Sequence, residues 1–210
     1  MPDLIAASHN ADSMYKEWRH LQRGGLRRNQ TSAVPLYRRT RHMRVYCSNV
    51  IPGLLQTQSY AAALLRTIAE FEGAVNDAPD AAAARVERSQ VLYDRTKRFA
   101  LLVEEDVLYF PVGDAGTMTE QLGFLLSVMP LPSVSLGVIP RTAPRQMWTL
   151  EGFLAFGDEQ VQVETLSANI TITRPSEVTL YLRAFERLSK MAVYGANARR
   201  TILAAAAAHG

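Results

Sequence analysis

With one cysteine in 210 residues, Cys47, the chain has no partner for an internal disulfide, which fits a reducing compartment. Long apolar runs are equally scarce. None approaches the roughly 20 residues that span a bilayer, and no basic-then-apolar leader follows Met1-Pro2-Asp3. A cytoplasmic protein without a membrane segment is expected. The four histidines, His9, His20, His42 and His209, stand at no ligand spacing from one another, from Cys47 or from a carboxylate, so no metal and no cofactor are expected. The glycines are scattered, and none precedes a Lys-Ser or Lys-Thr pair in a phosphate-cradling loop, which argues against nucleotide hydrolysis. Cys47 and His42 are close in sequence, but a nucleophile needs a base that a third group orients. A buried structural cysteine is the plainer reading, and no catalytic residue is assigned.

What is present is an ordinary globular composition, 48% hydrophobic and 20% charged, in a chain long enough to bury one large core without staples. Net charge is only +3, yet it is uneven. Lys16, Arg19, Arg23, Arg27, Arg28, Arg38, Arg39, Arg41 and Arg44 crowd one stretch in which Glu17 is the only acid. Such a stretch can neutralise phosphates; a solvated face, or arginines paired with distant carboxylates, is the blander reading.

The patterning divides the chain at about residue 95. Before it, helices are expected over Asp12–Arg23 and from a Thr57 cap to Phe71, the latter with an apolar face of Tyr60, Leu64, Ile68 and Phe71. A third, alanine-rich helix is expected from Asp80 to about Asp94. Residues 1–10 read as a flexible segment, 11–95 as helical and 96–210 as sheet and helices of the same domain. Phe99–Val103 is an apolar run of the kind buried on both faces of a sheet. Thr117 and Glu120 have capping-box spacing ahead of Leu122, Leu125, Leu126 and Met129; Val134–Ile139 then completes a strand-helix-strand crossover, with Val107–Phe110 as an optional extra strand. A hairpin is expected from Phe153–Phe156 and Val161–Leu166, a short strand over Ile170–Thr173, a helix from Pro175 stopped by Gly195, and a last helix capped by Asn197. The fold class is α+β, or mixed α/β: an α-rich first half and a central mixed sheet covered by helices.

Two groups of residues carry possible chemistry. Glu104, Glu105 and Asp106 end the strand that begins at Phe99, where carboxylates of separated pKa could do acid-base work; a charged turn is the plainer reading. Arg145, Trp148 and Glu164 flank the hairpin and could bind an anionic or planar ligand, whereas an internal ion pair beside a core tryptophan is the structural alternative. Leu54, in the apolar turn Pro52-Gly53-Leu54-Leu55, either packs under a helix or docks a partner, and packing is the safer expectation.

Several segments resemble, in order, the large C-terminal domain of actinobacterial XRE-type, antitoxin-like regulators, a domain long labelled as of unknown function. They are Glu17-Trp18-Arg19, Gly25-Leu26, Gln30, Ile51-Pro52-Gly53-Leu54-Leu55-Gln56-Thr57 with Tyr60-Ala61, Arg85, Arg88 and Phe99 to Glu105. Gln121-Leu122, Leu136 to Pro140, Met147-Trp148, Phe153, Val163-Glu164 and Tyr194-Gly195 continue the series, which runs from about Ala11 to Ile202. The Ile51–Thr57 segment is the most specific. The resemblance implies an effector domain that binds something, often a small partner protein encoded beside it, while a separate N-terminal helix-turn-helix binds DNA. That headpiece is expected to be missing here, so DNA contact would be indirect or non-specific, and a homodimer is possible. Low-specificity site candidates are Leu54, Gln56 and Tyr60 together with Arg145, Trp148 and Glu164. The alternative is a small-molecule sensor or uncharacterised enzyme using the Arg145, Trp148 and Glu164 region.

Overall fold

The structure, a computed structural model, describes residues 15–18 and 25–210. Its centre is a seven-stranded mixed sheet. The strands are β1 (Tyr15–Glu17), β2 (His42–Cys47), β3 (Arg98–Glu104), β4 (Val134–Ile139), β5 (Phe153–Phe156), β6 (Gln160–Glu164) and β7 (Ala168–Ile172). They lie in the order β1-β7-β6-β5-β2-β3-β4. β2, β3 and β4 are parallel to one another, and the remaining pairs are antiparallel. The helices are α1 (Leu26–Ser32), α2 (Val34–Arg39), α3 (Gln58–Glu72), α4 (Ala78–Ser89), α5 (Ala115–Val128), α6 (Pro175–Met191) and α7 (Gly195–His209). The fold is thus mixed α/β, with a helix-rich N-terminal region and helices packed on a central sheet.

Strand alternation sorts the core into two layers, because successive side chains leave a strand on opposite faces. On one face Met43, Val45, Phe99, Leu101, Val103, Leu136, Val138 and Phe156 pack with residues of α2, α3, α5 and α7. On the other, Tyr46, Leu102, Ile139, Phe153, Ala155, Val161 and Val163 pack against α6 through Val178, Phe185, Leu188 and Met191. A third cluster is built from small residues: Ala61, Leu65 and Ala69 of α3 meet Ala78, Ala81 and Ala82 of α4, with Leu26 of α1. Alanines let these helices approach closely.

The helical half differs from its sequence reading in three ways. His42–Cys47 is not helical; it is β2, hydrogen-bonded between β3 and β5, so the sheet begins well before Phe99. Of the helix expected over Asp12–Arg23, Tyr15–Glu17 form a strand paired with β7; the rest of it, apart from Trp18, lies outside the described residues, as does the 1–10 segment. Tertiary pairing overrides a helical spacing this short. Lastly, α3 is capped by Thr57, which accepts from the Tyr60 amide, and closed by Gly73 in the left-handed region, as expected. Its buried side, however, is Tyr60, Ala61, Leu65 and Ala69, turned from the expected stripe because α4 covers the alanines; Phe71 is 73% exposed.

In the second half the parallel β3-α5-β4 crossover and the β5-β6 hairpin form as read. Asp114, not Thr117, caps α5, its carboxylate accepting from the Thr117 amide and hydroxyl. Instead of a strand over Val107–Phe110 there is a 3₁₀ turn at Glu105–Leu108. Gly195 opens the last helix rather than closing the one before it, and Tyr194, not Asn197, is at its cap position. Among the described residues, no helix is long and apolar enough to cross a membrane.

Candidate functional site

Gln30, the Ile51–Thr57 turn, Arg85, Arg88 and Gln121 come together on the α2–α5 side of the sheet. Ile51–Thr57 runs as an extended entry, a 3₁₀ turn at Gly53–Leu55 and the Thr57 cap of α3. Four side chains hold its backbone, three from outside the segment and that of Gln56 from within it. Gln121 of α5, fully buried, donates to the Leu55 carbonyl (2.6 Å) and accepts from the Thr57 amide (2.8 Å). The Gln56 amide donates to the Ile51 carbonyl (2.7 Å), the Tyr60 hydroxyl accepts from the Ile51 amide (3.3 Å), and Ser89 donates to the Gly53 carbonyl (3.4 Å). Leu54 and Leu55 are buried beneath it.

Onto this turn α4 lays two arginines one turn apart. Arg85 donates from Nε to the Gln30 side-chain oxygen (3.0 Å) and from Nη1 to the Gln56 side-chain oxygen. Arg88 rests its guanidinium 4.6 Å over the Tyr37 ring, a cation–π geometry, and reaches the Gln30 carbonyl only at 3.5 Å. Its Nε is buried and has no hydrogen-bond partner. Leaving such a donor unsatisfied costs about 1–3 kcal/mol. Burial, reinforced by the like charge of Arg88, lowers the Arg85 guanidinium to about 10, and among the described residues no carboxylate lies within ion-pair distance of either arginine. Glu164 lies on the same side of the sheet as Cys47 and is close enough to act electrostatically on Arg85, Tyr37 and Cys47. Burial, with a smaller contribution from Glu164, pushes the Cys47 thiol up to about 12. A thiol raised in this way forms thiolate less readily than a free cysteine.

The opposite face holds the acidic strand end. Glu104, with 6% of its side chain exposed, is bound in bidentate fashion by Arg145 (2.8 and 2.7 Å) and accepts from the Tyr46 hydroxyl (2.9 Å). Burial, and then the bond to Glu104, raise Tyr46 well above the ordinary tyrosine range, while Glu104 holds Arg145 more firmly protonated. Arg141 answers the other two acids, with Nε 3.7 Å from Glu105 and Nη2 3.2 Å from Asp106, and its guanidinium lies over Tyr109. The three carboxylates are therefore countered by the loop that follows β4. An open groove of about 530 Å³ also runs along α6, lined by Arg44, Thr179, Leu182, Arg183, Phe185, Glu186 and Ser189.

The sequence-derived candidates are divided by this arrangement. Arg145 and Glu164 do not meet: Arg145 takes Glu104 as its partner, and Glu164, from the alternation with Val163, faces the other side of the sheet. Trp148 is 69% exposed rather than a core residue. Leu54 and Tyr60 are packed in the core, and among the candidates in and beside the turn it is Gln56 that hydrogen-bonds to the arginine pair. Gln30, Arg85 and Arg88 carry the resemblance without being site candidates, and Tyr37 is in neither group; spacing along an alanine-rich helix does not show that its two arginines meet Gln30 and Tyr37. Among the described residues no three His, Cys, Asp or Glu side chains gather as a metal site needs.

Comparison with curated proteins gives no match. Among solved structures there is similarity to TrmBL2, described as an archaeal chromatin protein with a novel mode of DNA binding, at 14% identity and a TM-score of 0.37. The match covers 81% of this chain and 51% of that one, so the chain spans about half of that protein's length. A likeness this shallow does not extend DNA binding to the present chain. A family profile described as "Domain of unknown function (DUF5753)" matches residues 30–204. That stretch holds Gln30, the Ile51–Thr57 turn, both arginines and every strand but β1, and the chain belongs to the DUF5753 family.

Proposed function

We propose that this chain is the effector domain of an antitoxin-like, XRE-type transcriptional regulator, working in the cytoplasm by binding a small cognate protein encoded nearby rather than by catalysis. The observation that supports it most is the convergence of Gln30, Gln56, Arg85 and Arg88 around the Ile51–Thr57 turn. An arginine pair without a carboxylate offers charge-assisted hydrogen bonds, which suit recognition; it offers no proton at neutral pH. The groups whose chemistry might have served catalysis are committed elsewhere. The Cys47 thiol is raised by burial, and Glu104 is ion-paired with Arg145. The sequence resemblance carries the same reading and supplies the kind of partner.

Co-expression of the chain with the small protein encoded beside its gene tests the proposal. The two proteins are expected to co-elute at a defined stoichiometry. Separate elution, together with turnover of any small substrate by the chain alone, overturns it.

A further inference from the structure

We propose that Arg85 and Arg88, with Tyr37 and Gly53, form a binding site for the carboxylate group of a small organic ligand. This goes beyond the effector reading and does not depend on it. Three observations combine. Two guanidinium groups lie side by side with no carboxylate within ion-pair distance among the described residues, although each of the acids Glu104, Glu105 and Asp106 on the other face has an arginine. Buried charge is normally paired, and two guanidinium groups with no ion-paired acid, only the more distant Glu164 acting on Arg85, leave room for an anion. The Nε of Arg88 is buried with no acceptor, and each arginine keeps Nη hydrogens that no neighbour takes up. The planar guanidinium edge matches the two oxygens of a carboxylate. Finally, the place is reachable. Both arginines and Gly53 are half-buried, and a Cβ at Gly53 would stand 3.6 Å from Arg88 Nη2, so the glycine keeps that edge uncovered.

The choice of a carboxylate over a phosphate dianion follows from Glu164. Its negative charge acts on Arg85 and disfavours a second negative charge on the ligand. The Tyr37 ring, buried beneath Arg88 and edge-on to Phe156, holds that guanidinium in place from below.

The test uses the intact chain labelled with ¹⁵N, titrated with sodium benzoate, sodium acetate and inorganic phosphate, with sodium chloride at matched ionic strength as the control. The Arg88 Nε–H resonance, assigned by its loss in Arg88→Lys, is expected to shift saturably with the carboxylates and not with chloride. Arg88→Gln is expected to weaken binding roughly tenfold or more, and Glu164→Gln to improve phosphate relative to acetate. The wild-type titration stands even if an arginine variant fails to fold. A shift that follows ionic strength alone, or saturable binding unchanged in Arg88→Gln, overturns the site; phosphate binding more tightly than the carboxylates to the wild type overturns the ligand class. None of these results bears on co-elution with the protein partner, so the two readings fail separately.

Discussion

At the scale of single residues, the account turns on which charges have partners. Arg145 is held by Glu104 in a pair whose acid is buried while a third of the arginine remains in water. Arg145→Ala is therefore expected to lower unfolding free energy by about 2–3 kcal/mol, short of the roughly 3–5 of fully buried pairs. Urea denaturation measures it, and an unchanged midpoint would mean that the ion pair contributes nothing. Cys47 gives a pH prediction. Its folded thiol lies near 12 against an ordinary 9.0, so the unfolded chain loses its proton first and stability falls as pH rises above 9. Tyr37, Tyr46 and Tyr60, all raised chiefly by burial, add to the fall above pH 10. Denaturant midpoints between pH 8 and 11 should decline in the wild type, and Cys47→Ala should flatten the part between 9 and 10.

At the scale of elements, the Ile51–Thr57 turn and the end of α2 depend on side chains brought from elsewhere. Leu54 is buried beneath its turn, so Leu54→Ala is expected to cost about 2–4 kcal/mol, with loss of thermal stability as the readout. A stable Leu54→Ala protein would place that turn at the surface instead. Lys97, buried, donates from Nζ to the carbonyls of Tyr37 (3.3 Å), Arg38 (2.6 Å) and Thr40 (2.7 Å), closing the C-terminus of α2 as a cation does there. Lys97→Met leaves those carbonyls without their donor and should cost roughly 1–3 kcal/mol. Much of this element structure was legible in the sequence. The Thr57 cap, the Gly73 stop, the β3-α5-β4 crossover and the β5-β6 hairpin each follow from local residues and short-range pattern. β2 was hidden because six residues between basic neighbours, His42–Cys47, become a strand only when β3 and β5 pair on either side. The arginine site was hidden for a related reason. Gln30, Tyr37, Gln56 and Arg85 come from three helices and a turn, and nothing local tells Arg85 that it will be enclosed while Arg38 and Arg39 stay in solvent.

At the scale of the whole molecule, the sheet separates two kinds of chemistry. On one face acids are ion-paired by the loop after β4; on the other, Arg85 and Arg88 remain without an ion-paired acid beside the Ile51–Thr57 turn. The basic stretch adds Arg27, Arg28, Arg38, Arg39 and Arg41 at the surface, while Arg44 is spent on Asp158 (3.2 Å). Exposed arginines of this kind give salt-sensitive, sequence-independent attraction to phosphates. The chain alone is thus expected to shift operator and random duplex DNA equally, and to lose both steeply as salt rises. A preference for the operator at physiological salt would contradict that. The measurement closest to the central claim is a calorimetric titration of the chain with any small protein encoded beside its gene. Saturable heat at a fixed stoichiometry, unaffected by random duplex DNA, is the predicted result; no heat of binding at any attainable concentration would contradict the effector reading.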